Sequence, residues 1–523
     1  MLPSVVLRVA SRIAVFAFVI LPSPNVHAGE ASSDLLDPLI QAPEFRHAHW
    51  GILVADLASG EVLYELDADK LLAPASTTKL FSVAAALTAL GPDYRFETPL
   101  YARGSISADG ALDGDLILVA SGDLTLGGRT DAEGRITFTN HDHTYADGTG
   151  PAELTEPDAL AGLNELARQV AAAGIKRIHG AVLIDDRLFE AASSTGSGPQ
   201  RLTPIMVNDN LIDIVVAPTE PGSLANVTWR PMSGAMAVEM QAKTVAKGFP
   251  SHVHVKSPER GRLIVHGTIA VGHSPLICVH EISEPAAFAR DLLIEALGGA
   301  GVAVELRAPG GDAKTDLPPQ DAYSSLNRVA TLVSPPFSEE AKLILKVSHN
   351  LHASTLPLLL AARDGKRTLA EGLRLEGRQL ESLGVDADTI SFGGGAGGDR
   401  ADFVTPRATV QLLRLMAERP EFGAYLAALP VLGVDGTLAN AVVADSPARG
   451  KVQAKTGTLY WRDGLNGRFL LASKALAGYM TAASGRRLAI SLMVNNVSIR
   501  YAGDRNEVGR KLGRACEILY EAL

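Results

Sequence analysis

The mature part of the chain alternates between two textures of apolar and polar positions. Trp50 to Leu57 and Val62 to Leu66 are short apolar runs divided by Ala58-Ser59-Gly60, which predicts a β-hairpin. After Pro74 comes Ser76-Thr77-Thr78-Lys79-Leu80-Phe81 and an Ala/Leu-rich stretch to Leu90. Pro74 bars a helix before it, Ser76 suits a helix start and Gly91 a stop, so Ser76 is placed at the head of a buried helix. From about residue 97 short β-rich runs take over: Asp115 to Ala120, Ala181 to Ile184, Ile212 to Ala217, His252 to Val255 and Leu263 to Val271. Turn residues interrupt them, and a single helical period, Pro285 to Leu297, ends at Gly298-Gly299. Past residue 322 the helical period returns in Ser338 to Leu360, with a break near Ser348, then Leu369 to Leu383 and Pro406 to Arg419. Two β-runs, Ala475 to Thr481 and Leu488 to Val494, and an amphipathic helix from about Asn506 to Leu523 close the chain. The order predicts an α+β domain made of residues 29–96 and 322–523, interrupted at 97–321 by inserted β-rich domains, two in number with one nested in the other.

The first 28 residues stand apart. Arg8 and Arg12 precede an apolar run, Ile13 to Leu21, and then Pro22, Pro24 and Val26-His27-Ala28. That is the layout of a cleaved secretory signal; an uncleaved anchor is the alternative, disfavoured by the shortness of the run. No second hydrophobic span follows, so no stable membrane span is expected after cleavage. Apolar residues make up 46% and charged residues 20% of the 523, enough to build a large core. A net charge of -10 without a Lys/Arg block, and only 5% aromatic residues, argue against nucleic acid as a partner. Cys278 and Cys516 lack the histidine company of a thiol nucleophile.

Three short motifs carry chemistry. Ser76-x-x-Lys79 puts two side chains on one helical face, where a lysine of depressed pKa can take the proton of a serine hydroxyl. Taken alone, the spacing also fits an exposed polar helix start. Ser348-His349-Asn350 offers a hydroxyl to pass a proton to a leaving amine and an amide to hold a peptide. Ser325-Leu326-Asn327 and Ser23-Pro24-Asn25 match the same pattern, but Ser348 sits at a junction between helical runs. Lys455-Thr456-Gly457-Thr458 gives a strand with a cation, two hydroxyls and a glycine for close backbone approach, suited to a substrate ending in a carboxylate. No Gly-x-Ser-x-Gly elbow occurs. His141-Asp142-His143 lies in an added loop, 131–154, which is read as a solvated polar loop rather than a metal site.

In this order the three motifs are the signature set of penicillin-binding proteins and serine β-lactamases. The chain resembles the class C low-molecular-mass penicillin-binding proteins, the D-Ala-D-Ala carboxypeptidase/endopeptidase family with a large insertion. The gap between Ser76 and Ser348 is far longer than in compact β-lactamases, as that family requires. Gly114-Asp115-Leu116 with Ser121-Gly122-Asp123, Gly180 to Asp185, Leu429 to Leu438, Leu476 to Tyr479 and Val494-Asn495-Asn496 extend the likeness. His349 departs from the Asp common at its position, and the stretch from Thr458 to Leu476 is long, implying an extra loop from Tyr460 to Phe469.

The resemblance implies a penicillin-binding-protein/serine β-lactamase-like transpeptidase domain, an antiparallel sheet flanked by helices. It implies a periplasmic enzyme that needs no cofactor and no metal, acts on peptidoglycan stem peptides and is covalently inhibited by β-lactam antibiotics. Ser76 would attack the penultimate D-Ala carbonyl with Lys79 as base, and Ser348 would relay a proton to the leaving amine. Asn350, Lys455, Thr456, Gly457 and Thr458 would bind substrate, and the N–H groups of Ser76 and Thr458 would hold the oxyanion. Asp185, followed by Phe189, is the insertion's expected recognition carboxylate for the stem-peptide side chain. Two other readings stand beside this one: a β-lactamase-like hydrolase, and a non-catalytic envelope protein that binds peptidoglycan.

Overall fold

The computed structural model describes residues 34–196, 198–234, 236–305 and 317–523. The expected signal segment, 1–28, lies outside the described residues, among which no helix is long and apolar enough to cross a membrane. The hairpin predicted near the start forms, His49–Asp56 against Val62–Leu66. Periodicity did not reveal its second partner: His49–Asp56 pairs along its length with Arg487–Ile499, from the far end of the chain. Five antiparallel strands thus run in the order Val452–Asp463, Arg468–Thr481, Arg487–Ile499, His49–Asp56, Val62–Leu66.

Both faces of this sheet are covered. Leu53, Ala55, Ala477, Tyr479, Ala489 and Met493 belong to one core, with the helix Lys79–Leu90 and the helices Asn350–Arg363 and Leu369–Leu383. Ile52, Val54, Leu476, Leu488, Ile490 and Leu492 belong to another, with the C-terminal helix Arg505–Ala522. Alternate residues of one strand therefore serve two cores, and the central strands read as unbroken apolar runs. Lys79–Leu90 is buried nearly all round, its small Ala84-Ala85-Ala86 letting neighbours approach closely, and it stops at Gly91 with φ 95°. The architecture is α+β, an antiparallel sheet flanked by helices.

The insertion leaves from Glu97–Ile106. That strand and Ala111–Val119 form the centre of a six-stranded sheet, to which Asn327–Val333 returns, six residues beyond the boundary read at 321. Helices Ala161–Ala172 and Pro285–Gly299 pack with it. Between Val182–Asp185 and Pro285 the chain builds a three-stranded and a four-stranded sheet, so this part is nested within the first.

Two elements differ from the periodicity. Ser338 to Leu360 is not one helix with a simple break: Phe337–Lys342 gives way to a π turn, Leu343–Val347, and then to Ser348 in the left-handed region with φ 71°. The segment from Tyr460 to Phe469 is not a loop but a ladder, Tyr460↔Leu471 through Asp463↔Arg468, that lengthens the edge hairpin.

Candidate active site

Ser76 sits in a 3₁₀ turn, Ala75–Thr78, that runs straight into the helix beginning at Lys79. Its hydroxyl caps no backbone N–H, contrary to the helix-start reading; it lies 2.9 Å from Lys79 Nζ. Ala75, immediately before it, takes φ 47°, an unfavourable value for an alanine that the surroundings must enforce. They do so from three sides. Asn495 accepts from the Ala73 N–H at 2.7 Å and donates to the Ala73 carbonyl, which also takes the Ser473 hydroxyl at 2.6 Å. Gly397 (φ 86°) lies so close that a Cβ would sit 1.9 Å from the Ala75 carbonyl. A Cβ on Gly457 would meet the Pro74 carbonyl at 2.5 Å, so the Lys-Thr-Gly strand approaches the Ser76 turn only because it carries glycine there.

Lys79 is fully buried. Besides facing Ser76, its amine donates to Asn350 Oδ1 and to the Ala396 carbonyl, both at 2.8 Å. Burial pulls its pKa down to about 7, against the opposing charge of Asp402. Nζ thus stands within hydrogen-bond reach of three oxygens, the Ser76 hydroxyl among them.

The second motif is held where the π turn ends. Lys455 Nζ lies 2.9 Å from Ser348 Oγ and 2.8 Å from the Thr456 carbonyl. Lys455 is fully buried, and burial together with the charges of Lys79 and Lys474 holds its pKa well below the ordinary lysine range. Thr456 Oγ1 donates to Thr437 Oγ1 at 2.8 Å, and Thr458 Oγ1 accepts from Lys474 at 2.8 Å. Ser76, Lys79, Ser348, Asn350 and Lys455 thus form one connected cluster, bordered by Thr456, Gly457 and Thr458. Ser325, the rival Ser-x-Asn serine, is exposed and donates to its own Ala322 carbonyl.

Asp185 is not brought to this cluster. Its buried carboxylate accepts two bonds from the Arg187 guanidinium and one from the Tyr323 hydroxyl, all inside the insertion. These bonds hold its pKa below the usual carboxylate value in spite of burial, and Phe189 is a core residue. The recognition role expected of Asp185 is therefore not supported by its position.

The 131–154 loop, read as solvated, is instead packed against the site. His143 is fully buried with Nδ1 2.6 Å from Asp213, and Asp142 is bound by Arg129 at 2.7 Å. Tyr145 from this loop donates its hydroxyl to the Ser348 carbonyl (2.6 Å) and accepts from the Asn350 N–H (2.9 Å). His349 and His352, stacked at 3.7 Å, both turn Nε2 toward Asp209 Oδ1, whose other oxygen holds Arg129. These three residues have spacing compatible with metal ligands, but Asp209 is already neutralised by Arg129. Sequence spacing gave no sign of Tyr145, Arg129 or Asp209, because each reaches the motif from a distant segment.

A buried lysine beside the serine three residues before it, joined to a Ser-x-Asn turn and a Lys-Thr-Gly strand, is the motif set of the class of penicillin-recognising serine hydrolases. Within it, the chain belongs to the D-Ala-D-Ala carboxypeptidase 3 (S13) family, whose model matches residues 32–512. It is a serine-type carboxypeptidase of that family. A D-alanyl-D-alanine carboxypeptidase of Actinomadura sp. (strain R39) is 29% identical over 485 residues, covering 88% of this chain and 80% of the relative. The crystal structure of penicillin binding protein 4 from Haemophilus influenzae shares the fold, with a TM-score of 0.68 at 20% identity over 93% of this chain and 99% of that one. A second structure of that protein, complexed with a β-lactam, gives 0.65 at 21% identity, with the same coverage of both chains.

Proposed function

We propose that Ser76 is the nucleophile and Lys79 the base of a D-Ala-D-Ala peptidase acting on peptidoglycan stem peptides. The observation that carries this is the fully buried Lys79 amine, held by Asn350 and the Ala396 carbonyl at 2.9 Å from Ser76 Oγ. Lys79 takes the Ser76 proton as the oxygen attacks the penultimate D-Ala carbonyl. The N–H groups of Ser76 and Thr458 receive the oxyanion; removing one such donor typically costs about 100- to 1000-fold in rate. Ser348, backed by Lys455, delivers a proton to the leaving amine, while the carboxylate of the departing D-Ala lies against Lys455, Thr456 and Thr458 and Asn350 orients the peptide. Water then releases the acyl-enzyme. A β-lactam enters the same path and stops at the acyl stage, as the complex of the Haemophilus influenzae relative with such a compound supports. The working place of the enzyme is the periplasm, reached through the N-terminal signal.

Intact-mass measurement after incubation with benzylpenicillin, beside Ser76→Ala, tests the reading. The expected result is one stable penicillin adduct on the wild type and none on the variant. Neither adduct nor penicillin hydrolysis by the wild type would return the protein to the peptidoglycan-binding alternative; rapid hydrolysis would make it a β-lactamase.

A further inference from the structure

A cavity of about 420 Å³ opens beside the Lys-Thr-Gly strand, between the 140–151 loop, residues 436–441 and the first turns of the Arg505–Ala522 helix. Thr456 and Thr437 line it, so it continues the site on the side where the leaving carboxylate is received. A volume of this size falls in the ~300–1,000 Å³ range of pockets that take whole small molecules, well beyond the needs of one methyl side chain.

Its charges are unbalanced. Lys474 donates to Thr458 Oγ1 at 2.8 Å, and Arg505 donates to the Ala502 carbonyl at 2.6 Å with its guanidinium 5.1 Å from the Tyr460 ring. Among the described residues neither cation has a carboxylate partner, whereas Arg510, also on the wall, is paired with Glu507 at 3.1 Å. Asp147 is the one carboxylate among the described lining residues, and it is turned into its own loop, accepting from the Thr149 N–H and hydroxyl and the Gly150 N–H. Burial, and to a lesser degree the neighbouring Arg505, brings the Lys474 pKa down to about 8. Glycine at 509 gives Lys474 room under the helix; a Cβ there would stand 3.0 Å from Lys474 Cε. Two fixed cations in a concave, partly dried wall attract an anion far more strongly than they would on an open surface.

The structure assigns this cavity to the leaving half of the substrate, as a subsite for a D-amino acid that carries a second carboxylate, with Lys474 and Arg505 as its counter-charges. The assignment rests on the reading of Ser76 as nucleophile. It explains why a site able to release D-alanine has so much polar space beyond Thr456, and why that space is roofed by a loop from the insertion. Larger leaving groups, such as the acceptor-strand end of a peptide cross-link, have the same chemistry: a D-centre with a carboxylate, attached to further acidic peptide.

The test uses two N-acylated peptides that share the acyl half L-Lys-D-Ala and differ in the leaving residue, D-Ala or D-Glu. Amino-acid release gives kcat/KM for each with the full mature chain, and the readout is their ratio. The wild type is expected to cleave the D-Glu peptide at least as well as the D-Ala peptide, with the advantage shrinking as salt is raised. Arg505→Ala should lower the D-Glu/D-Ala ratio about tenfold and Arg505→Lys should keep most of it, because the lost quantity is a charge–charge interaction. Lys474→Met is the second variant, in case Arg505→Ala loosens the helix start; benzylpenicillin acylation reports whether each variant still has an assembled site. A ratio unchanged in both Arg505→Ala and Lys474→Met, or a wild type that rejects D-Glu, overturns the subsite. Failure of the underlying reading looks different: neither peptide is cut and no penicillin adduct forms on the wild type.

Discussion

At the scale of single residues, the proposed mechanism depends on an amine able to lose its charge near neutral pH. Burial of Lys79 lowers its pKa to about 7, so the fraction able to accept the Ser76 proton grows as pH rises through that value. The second-order rate of acylation by benzylpenicillin should therefore rise with pH and level off above about 7, with rapid mixing as the measurement. A profile flat from about pH 6 to about pH 8 would remove Lys79 from the base role. Ser76 and Lys79 were legible in the sequence because they are neighbours on one turn, and the helix that carries them was legible from Pro74 and Gly91. Their acceptors were not. Asn350 Oδ1 and the Ala396 carbonyl lie 271 and 317 positions from Lys79, and no local pattern announces a carbonyl that will lie 2.8 Å away. Gly457 was legible as a point of close approach, but not what it approaches; Gly397, needed for a contact that only the folded chain creates, went unread.

Among elements, the break at Ser348 is the most consequential. Apolar periodicity located it, but not its form, a π turn closed by a left-handed serine. Such a turn is held by contacts outside itself. Lys346, inside it, donates to the Leu429 carbonyl at 2.8 Å and to Asp435 at 2.7 Å, and Tyr145 bridges Ser348 and Asn350 across its exit. Tyr145→Phe keeps the ring and removes only the bridge, with each lost hydrogen bond worth about 1 kcal/mol. The expected effect is about a tenfold fall in acylation rate with little change in Tm or in KM, since a misplaced proton relay slows chemistry rather than binding. An unchanged acylation rate would show the bridge to be incidental. Helices were mostly legible, Leu369–Leu383 to its bounds, because their apolar faces repeat locally. Ala161–Ala172 went unread although Leu163, Leu166, Ala167 and Val170 carry the helical period; the surrounding β-rich texture masked a usable signal. The Tyr460–Phe469 hairpin went unread for a different reason: its exposed Trp461 and Leu465 break the alternation expected of a strand.

Across the whole molecule, insertion and catalytic domain are joined by buried charge. Arg129 holds Asp142 and Asp209, and Asp209 receives His352 at 3.0 Å beside His349, the middle residue of the second motif. Desolvation of these groups is offset only while the set is complete. Arg129→Ala would leave two buried carboxylates without their cation and should cost about 3–5 kcal/mol in denaturant unfolding. Acylation should be lost with it, because the Ser348 turn rests on the same set; a variant as stable as the wild type would show the two parts to be energetically separate. None of this coupling was visible in the sequence, where the insertion reads simply as β-rich texture and its charged residues as loop. The sheet has a further consequence, for the order of events during synthesis. His49–Asp56 is an interior strand whose neighbour, Arg487–Ile499, leaves the ribosome more than 400 residues after it. The insertion, whose pairings close over shorter stretches, has its partners available far earlier. Until that strand has been made, Asn495 is not there to hold the turn before Ser76, and the sheet that carries Lys455 lacks its link to His49–Asp56. The nascent polypeptide is therefore catalytically silent by construction, and the peptidase comes into being only with its final strands.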